Sequence, residues 1–318
     1  MAVYTHLGAE ELARLIAHYD VGELVSAKGI AEGVSNSNWL VETTFGRFIL
    51  TMYERRIDVA QLPFFLGLLD HLAEGGCAVP ATIHDRDGAA FREVDGKAVA
   101  LIEFLPGVSP NEPTPDQARA VGAALAKVHL AAQDYDGSRR NDLAPADTAD
   151  ILQRCGADAL ATIDPHLSEV IDRAADLVKN WPADLPTSVI HSDLFPDNVL
   201  MLGHEVSGFI DFYFAANDMM AYDLAVTHAA WSFGRTGADF DADVSRALVE
   251  GYESVRPLDD AERDALPLLA QGACLRFVAS RAEDWLDTPA DAQVLRKDPM
   301  DFVRRWDFYA DKGTAAFD

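Results

Sequence analysis

The segment VIHSDLFPDNVLMLGHEVSGFIDF, which runs from Val189 to Phe212, places several polar side chains between short apolar runs. Asn198 follows Asp193 by five residues, and Asp211 follows Asn198 by thirteen. The runs NVLML and SGFID are typical of short strands, and Gly203-His204 can form the turn between them. Because a tight hairpin brings its two ends together, we expect Asn198 and Asp211 at the same mouth, with Asp193 on the loop just before it.

This set of oxygen ligands suits phosphoryl transfer, a reaction in which the protein mainly positions the reactants. The reaction needs a carboxylate beside the acceptor hydroxyl and oxygen ligands that hold Mg²⁺ against the phosphates. Since Mg²⁺ usually takes one or two protein carboxylates together with phosphate, Asn198 and Asp211 are candidate ligands and Asp193 is the candidate base. Aspartate and asparagine are also common in turns, so none of these residues alone indicates catalysis. The three together, at this spacing, favour a catalytic site.

The composition is that of a globular protein with a strong acidic excess. Of the 318 residues, 49% are hydrophobic, which provides a core for one large domain or two smaller ones. The net charge of −26 disfavours nucleic acids and anionic membranes as partners. It also means that an anionic substrate such as a nucleotide would need a local cation, for example a metal ion.

Location and assembly have weaker sequence signals. No apolar run is long enough to span a bilayer, and the acidic N-terminus lacks the layout of an export signal. The three cysteines are odd in number and far apart, which predicts reduced thiols rather than a disulfide framework or a metal cluster. We therefore expect a cytoplasmic protein, and its oligomeric state stays open.

The order of predicted elements divides the chain into a β-rich part and a helical part. The first part has predicted strands over 38–44 and 47–53, a helix over 59–74 and a β-rich region over 82–104. Pro106-Gly107 predicts a break, and Thr114 followed by Pro115 and Gln117 predicts a capped helix start. We therefore divide the chain into residues 1–105 and 106–318, with a cleft for small molecules between them.

The pattern His-x-Asp-x₄-Asn with a later Asp-Phe resembles the catalytic loop and metal-binding segment of the protein kinase-like superfamily. The His-Ser-Asp form resembles its aminoglycoside phosphotransferase and choline kinase branch. The further segments RFILTMYE, LPFFLGLLDHLAEGG, GFIDFYFAANDMMAYDLAV and CLRFVASRAEDW, with a later KDP, resemble the bacterial homoserine kinase family of this branch. The similarity runs from about Lys28 to Trp306, nearly the whole chain.

This resemblance implies a two-lobed, protein kinase-like α+β fold with a β-rich N-lobe and a mainly helical C-lobe. It implies ATP-dependent phosphorylation of the hydroxyl of L-homoserine to O-phospho-L-homoserine, a step of threonine biosynthesis, with Mg²⁺ as the metal. By the same resemblance Asp193 is the base, and Asn198 and Asp211 ligate the metal. His191 would orient the loop by hydrogen bonding, and Asp223 would brace it structurally.

The resemblance also indicates how the nucleotide is bound. A small polar loop over 33–38 would lie over the ATP phosphates, although a solvated hairpin turn explains its sequence equally well. The backbone of the segment before Pro106 would contact adenine. The candidate residues are Ser35, Asn36 and Asn38 in the loop, and Glu103 and Leu105 in the second segment.

The third strand departs from the usual kinase pattern. Kinase-like proteins carry a Lys on this strand that holds the α- and β-phosphates, and the corresponding residue here is Thr51. A threonine can donate one hydrogen bond but brings no charge. How the phosphates are held is therefore a question for the structure.

The acceptor-binding residues are predicted from the chemistry of the substrate. A carboxylate favours an Arg, for which Arg276 and Arg281 are candidates. An ammonium favours an acid or an aromatic face, for which Asp218, Tyr213 and Trp231 are candidates. In so acidic a chain both arginines could equally be ordinary ion-pair partners.

Two other functions remain open from the sequence. One is a kinase of the same branch acting on another small alcohol, such as an aminoglycoside, choline or methylthioribose, because an acidic cleft suits cationic acceptors. The other is a nucleotide-binding module without catalysis, which Thr51 would favour. The presence of Asp193, Asn198 and Asp211 together argues against it, because a module freed from chemistry has no need for all three.

Overall fold

The structure, a computed structural model, describes residues 7–30, 36–54, 58–288 and 296–318. An antiparallel sheet forms most of the N-terminal lobe, and helices form most of the C-terminal lobe. The chain therefore has the two-lobed α+β architecture expected from its sequence. The division at residues 105 and 106 stays a prediction.

The N-terminal lobe is a six-stranded antiparallel sheet with two helices. Its helices are α1 (Ala9–Ile16) and α2 (Leu62–Glu74), and its strands are β1 (Leu24–Ile30), β2 (Asn36–Thr43), β3 (Arg47–Tyr53), β4 (Thr82–Ile83), β5 (Arg92–Val94) and β6 (Lys97–Glu103). The strand order is β1-β2-β3-β6-β4, and β5 pairs with β6. The helix predicted over 59–74 is present, and its first turn is a 3₁₀ turn.

One boundary in this lobe differs from the prediction. The predicted end of the polar loop over 33–38 is wrong, because Asn36 already pairs with Tyr53 and Asn38 with Thr51 in the β2–β3 ladder. The part of this prediction that covers 33–35 lies outside the described residues. Polar side chains suggested a loop, but here cross-strand pairing satisfies the backbone of these residues.

The two faces of the sheet pack against different helices. Trp39, Leu50 and Met52 pack with α1 on the outer face. Tyr53 and Ala100 lie in a separate core with the α2 side chains on the inner face. The opposite side of α2 joins the large core of the helical lobe. Helix α2 is therefore one layer through which the sheet contacts the helical lobe.

The C-terminal lobe contains eight α-helices and two short antiparallel strand pairs among the residues described. The helices are α3 (Pro115–Ala131), α4 (Pro145–Cys155), α5 (Ala157–Ile163), α6 (Val170–Lys179), α7 (Met220–Trp231), α8 (Ala242–Glu253), α9 (Asp260–Asp287) and α10 (Met300–Lys312). The strand pairs are β7 (Thr187–Ile190) with β10 (Ala216–Met219) and β8 (Val199–Leu202) with β9 (Glu205–Phe209).

Several local predictions are confirmed. Thr114 caps α3 and exchanges the two hydrogen bonds of a capping box with Gln117. The strands on either side of Gly203-His204 form the predicted hairpin. Helix α7 is buried at all twelve of its positions, so any polar side chain on it needs a partner inside the protein. None of the helices in the described ranges has the length and apolar character that crossing a membrane requires.

The link between the lobes is tied to the β8–β9 hairpin. Val108 and Met201 exchange two backbone hydrogen bonds of 3.1 Å each. Gly107 has φ +146°, and a Cβ atom there would lie 3.0 Å from the backbone nitrogen of Met201. The close approach of the two segments therefore requires glycine at this position.

Candidate active site

The structure brings the three candidate chemical residues to one place. Residues 191–198, here called the His-Ser-Asp loop, connect β7 to β8. The amide nitrogen of Ile210 donates to the carbonyl oxygen of Asn198 at 3.0 Å, which closes the hairpin beside Asp211. The side-chain amide of Asn198 donates to the backbone oxygen of Asp193 at 2.8 Å and lies 3.4 Å from its carboxylate. The predicted common mouth is therefore present.

The backbone is strained at this mouth. Three non-glycine residues in the described ranges have positive φ, and two of them are Ser192 at +69° and Asp211 at +66°. Such conformations cost free energy and persist only where the surrounding structure holds them. Their position beside Asp193 indicates that the fold aims these particular side chains.

Asp223 on α7 holds the start of the loop. Its buried carboxylate accepts the backbone amides of His191 at 2.7 Å and Ser192 at 2.6 Å, and it also contacts His129 Nε2 at 2.9 Å. Burial by itself would raise the pKa of Asp223, but the hydrogen bond with His129 and the other donors more than offset it, so the pKa lies below its usual value. A charged Asp223 therefore holds the first two residues of the His-Ser-Asp loop through their backbone amides.

His191 joins the loop to the strand that leads to Asp211. Its Nε2 donates to the carbonyl oxygen of Ile210 at 3.0 Å, and its Nδ1 accepts the amide of Asp193 at 3.2 Å. Burial lowers the pKa of His191, which agrees with a neutral ring that donates at one nitrogen and accepts at the other. This geometry is that of an orienting residue.

Burial and neighbouring charges shift the pKa of the Asp193 carboxyl in opposite directions. Its side chain is 19% exposed, and Arg276 Nη2 lies 3.3 Å from its Oδ1. Burial raises the pKa of Asp193 to about 7, Arg276 works against this, and Asp211 adds to it. A carboxyl whose pKa lies near neutral is a stronger base than an ordinary aspartate and suits proton transfer.

The ligand atoms at the mouth fit a Mg²⁺ ion. The amide nitrogen of Asn198 is used by Asp193, which leaves its carbonyl oxygen available. Asp211 opens onto the cleft while protein surrounds its other sides, and this burial, together with Asp197, raises the pKa of its carboxyl to about 6. Within the described ranges no three His, Cys, Asp or Glu side chains are grouped as a metal site. Two protein oxygen ligands, with water and phosphate completing the coordination, match the usual coordination of Mg²⁺.

Some of the predicted nucleotide-binding residues already have contacts within the protein. Asn36 is buried, and its Oδ1 has no hydrogen-bond partner in the described part of the chain. Asn38 Oδ1 accepts the hydroxyl of Thr51 at 2.8 Å. Glu103 ends β6, and the side chain of Leu105 lies against Gly208 of the hairpin. Ser35 lies outside the described residues.

Tyr213 connects the third strand to the segment after Asp211. Its hydroxyl lies 3.1 Å from that of Tyr53 and also hydrogen-bonds Thr51. With Asn38 these groups form a hydroxyl chain, defined here as Tyr53, Tyr213, Thr51 and Asn38. It occupies the strand position from which kinase-like proteins usually extend their Lys. In this protein that position joins the lobes through neutral hydrogen bonds.

The predicted acceptor residues have other partners. Asp218 accepts the side-chain amide of Asn141 at 2.6 Å and the amide of Met219 at 2.8 Å. Trp231 is buried, and its indole donates to the carbonyl oxygen of Leu194 at 2.9 Å. Neither side chain therefore presents a free acid or ring to an ammonium group. The Tyr213 hydroxyl is likewise used by the hydroxyl chain.

The two candidate arginines bind different partners within the protein. Arg276 is 2% exposed, and its Nη1 donates to the backbone and hydroxyl oxygens of Ser192. Arg281 donates to the carbonyl oxygen of Asp298 at 2.8 Å and to the carboxylate of Asp301 at 3.0 Å. In this structure Arg281 is an ion-pair partner, which is the alternative that the sequence left open, and its role toward an acceptor stays a prediction. Arg276 supports the His-Ser-Asp loop, which leaves a role in gripping a carboxylate without support.

Sequence reasoning missed three features near the site. His129 braces Asp223 from 94 residues away, and no local motif marks it. Phe214 lies under the guanidinium of Arg276, at 5.2 Å, and borders a cavity of about 300 Å³. Lys297 lies near enough for its charge to act on Asp193. Its only sequence signal was the KDP motif.

Comparison with known proteins shows which protein family this chain resembles. The model of the family described as "Phosphotransferase enzyme family" matches residues 26–258. A protein of Acidiphilium cryptum named "Homoserine kinase" is 48% identical over 99% of both chains. A "Homoserine kinase" of Gluconacetobacter diazotrophicus is 49% identical over 97% of both.

The fold comparison agrees with the sequence comparison. A spectinomycin phosphotransferase, solved with ADP and spectinomycin, superposes with a TM-score of 0.74 at 15% identity, over 98% of this chain and 100% of that one. This likeness shows the fold. The family model, which covers the residues that build the mouth, and the relatives at 48–49% identity show that the chain belongs to the phosphotransferase enzyme family.

Proposed function

We propose that this protein is a homoserine kinase. It transfers the γ-phosphoryl group of ATP to the side-chain hydroxyl of L-homoserine and releases ADP and O-phospho-L-homoserine, which feeds threonine synthesis in the cytoplasm. The observation that carries this proposal is the braced mouth of Asp193, Asn198 and Asp211. It occurs in a chain that is 48–49% identical, over nearly its full length, to proteins named for that activity.

Asp193 is the base of the proposed reaction. It accepts the proton of the acceptor hydroxyl while that oxygen bonds the γ-phosphorus and the bond to the β-phosphate oxygen breaks. Asn198 and Arg276 hold its carboxylate from two sides. His191 and Asp223 keep the loop in the required conformation, so the positioning is complete before the acceptor arrives.

Asn198 and Asp211 would hold Mg²⁺, which supplies positive charge to the phosphates when it is bound. Asp211 is aimed by its left-handed backbone, and the amide of Asn198 is oriented by Asp193. These contacts support the assignment because both leave an oxygen free toward the mouth.

For the nucleotide we propose the inner face of the sheet and the segment before Pro106. Asn36 and Asn38 would donate to phosphate oxygens through their side-chain amides, with Ser35 as a further candidate from the resemblance. The backbone of Glu103 and Leu105 would meet the adenine. We also propose that residues 1–105 and 106–318 act as the two lobes of this cleft.

The test is ADP release from Mg-ATP by purified protein. The acceptor panel is L-homoserine, L-threonine, choline, methylthioribose and kanamycin. We expect strong release with L-homoserine alone. Release with another acceptor would keep the phosphoryl-transfer residues and discard the substrate, whereas ATP binding without release for any acceptor would support the non-catalytic alternative.

A further inference from the structure

The segment before α10 is held in place next to the His-Ser-Asp loop. Arg281 donates to the carbonyl oxygen of Asp298, and the carboxylate of Asp298 accepts the amide of Met300 at 2.9 Å. Asp298 is therefore anchored to α9 on one side and to α10 on the other. The neighbouring side chain of Lys297 is exposed.

An aromatic cluster connects this anchor to the loop. The Phe277 ring lies 4.8 Å from that of Phe195 in the loop and 4.7 Å from that of Phe302 in α10. The guanidinium of Arg281 lies over Phe302 at 4.6 Å. The backbone next to Lys297 is thus anchored by contacts that reach the His-Ser-Asp loop, and the charge of Lys297 lowers the pKa of Asp193 in the same direction as that of Arg276.

Among the described residues, the cations that act on Asp193 differ in whether they already have a partner. Arg276 is bonded to Ser192 and lies against Asp193, and Arg281 is paired with Asp301. Lys297 makes no ion pair or hydrogen bond with any residue in the described ranges. In a chain with 52 acidic and 26 basic residues, an exposed lysine without an acidic partner beside the proposed base points to an anionic ligand at that position.

We propose that Lys297 binds the carboxylate of the acceptor amino acid. A lysine ammonium donates up to three hydrogen bonds from a flexible stem, so it can follow a small acceptor whose hydroxyl is directed at Asp193. The contact distinguishes an amino acid from the amino alcohol that lacks the carboxylate. This inference rests on the proposed homoserine kinase activity and assigns the acceptor contact that Arg276 and Arg281 do not provide.

The test compares Lys297→Met with the unmodified enzyme on two acceptors. L-homoserine carries the carboxylate, and 3-aminopropan-1-ol is the same molecule without it. Losing a charged hydrogen bond should lower kcat/KM for L-homoserine about 10- to 100-fold, chiefly through KM. The KM for ATP and kcat/KM for 3-aminopropan-1-ol should stay within about twofold. If the amino alcohol turns over too slowly, its inhibition constant against L-homoserine gives the same comparison.

Two variants serve as controls. Lys297→Arg keeps the charge and should recover most of the affinity for L-homoserine. Lys312→Met removes an exposed lysine at the end of α10, which pairs with Asp311, and should leave both acceptors unaffected. Thermal unfolding of each variant shows whether it is folded.

Three results would overturn the inference. These are an unchanged KM for L-homoserine in Lys297→Met, equal losses with both acceptors, or a fall in kcat at constant KM, which would mean that Lys297 acts only on Asp193. A wild-type enzyme that phosphorylates a different acceptor, or none, refutes the proposed function itself, and that result is visible before any variant is made.

Discussion

At the scale of single residues, the neighbours of Asp193 determine what it can do. Its carboxylate has an amide on one side and a guanidinium on the other, and burial raises its pKa to about 7. Arg276 shows that a buried guanidinium hydrogen-bonds the acceptors packed next to it. A sequence argument assigned it to the substrate, but the nearest acceptors for its hydrogen bonds are the oxygens of Ser192.

We expect Asp193→Asn to lower kcat by about 10²- to 10⁴-fold, because the amide cannot accept the hydroxyl proton. Binding of Mg-ATP, measured by calorimetry, should change little. Asp116→Asn is the control, since it makes the same substitution at an exposed position in the first turn of α3 and should keep turnover within about threefold. Near-normal turnover in Asp193→Asn would remove this residue from the mechanism.

At the scale of elements, hydrogen bonds between neutral groups connect the two lobes. Tyr213 joins the segment after Asp211 to β3, and the backbone bridge between Val108 and Met201 joins the hinge to β8. Both connections depend on residues that have no unusual sequence signature.

Tyr213→Phe should lower the free energy of unfolding by about 1–3 kcal/mol, because it leaves the buried hydroxyl of Tyr53 without its partner and removes a hydrogen bond from Thr51. Tyr53→Phe removes only the terminal hydroxyl of the chain and should cost about 1 kcal/mol or less. Urea unfolding of both variants measures the difference. Equal losses would show that the hydroxyl chain is not continuous.

Gly107→Ala should destabilise the protein more than Gly203→Ala. Both glycines have positive φ, so alanine costs about 1–2 kcal/mol at either position. Around Gly203 nothing lies within 4 Å of the added methyl, whereas at Gly107 it would lie 2.5 Å from Ser207 Oγ and 3.0 Å from the backbone nitrogen of Met201. The same denaturation experiment, with the two variants compared directly, tests this. A smaller loss at Gly107 would contradict the close approach seen at the hinge.

At the scale of the whole molecule, a buried histidine ties the C-terminus to the core. His228 on α7 lies 2.6 Å from the Tyr309 hydroxyl and 2.7 Å from that of Ser245, which itself donates to the carbonyl oxygen of Ala316. The serine must therefore accept from Nε2, and the tyrosine donates to Nδ1. This network holds a neutral imidazole, and burial lowers the pKa of His228 to about 3.

The unfolded chain takes up a proton at His228 near pH 6.5, whereas the native protein does not until about pH 3. The unfolded state therefore gains protons first, and stability is lost as the pH falls below 6.5. Between pH 7 and 5 this histidine should cost about 2 kcal/mol.

The comparison is His228→Gln, unfolded in urea at both pH values. The variant should be less stable at pH 7, because it loses the hydrogen bonds of the imidazole, but should lose about 2 kcal/mol less than the parent on going to pH 5. Parallel pH dependence in the two proteins would assign the acid sensitivity to other groups.

The features that the sequence predicted correctly depend on neighbours along the chain. The capping box at Thr114 spans three residues, and the hairpin follows from two apolar runs around one turn. The end of the polar loop predicted over 33–38 was wrong, because the side chains of Asn36 and Asn38 gave no sign of the strand opposite them. Local signals thus predicted the element types better than their ends.

By itself the sequence identified the family and predicted which residues meet at the mouth. The spacing of Asp193, Asn198 and Asp211 fits one loop and one hairpin, and short-range geometry brings them together wherever those elements form. The tertiary structure decided the partners of the remaining polar groups. Arg276 meets a loop 84 residues away, and His129 meets Asp223 from 94 residues away. A buried charge bonds whichever acceptor packing brings within reach, and spacing along the chain does not contain that information.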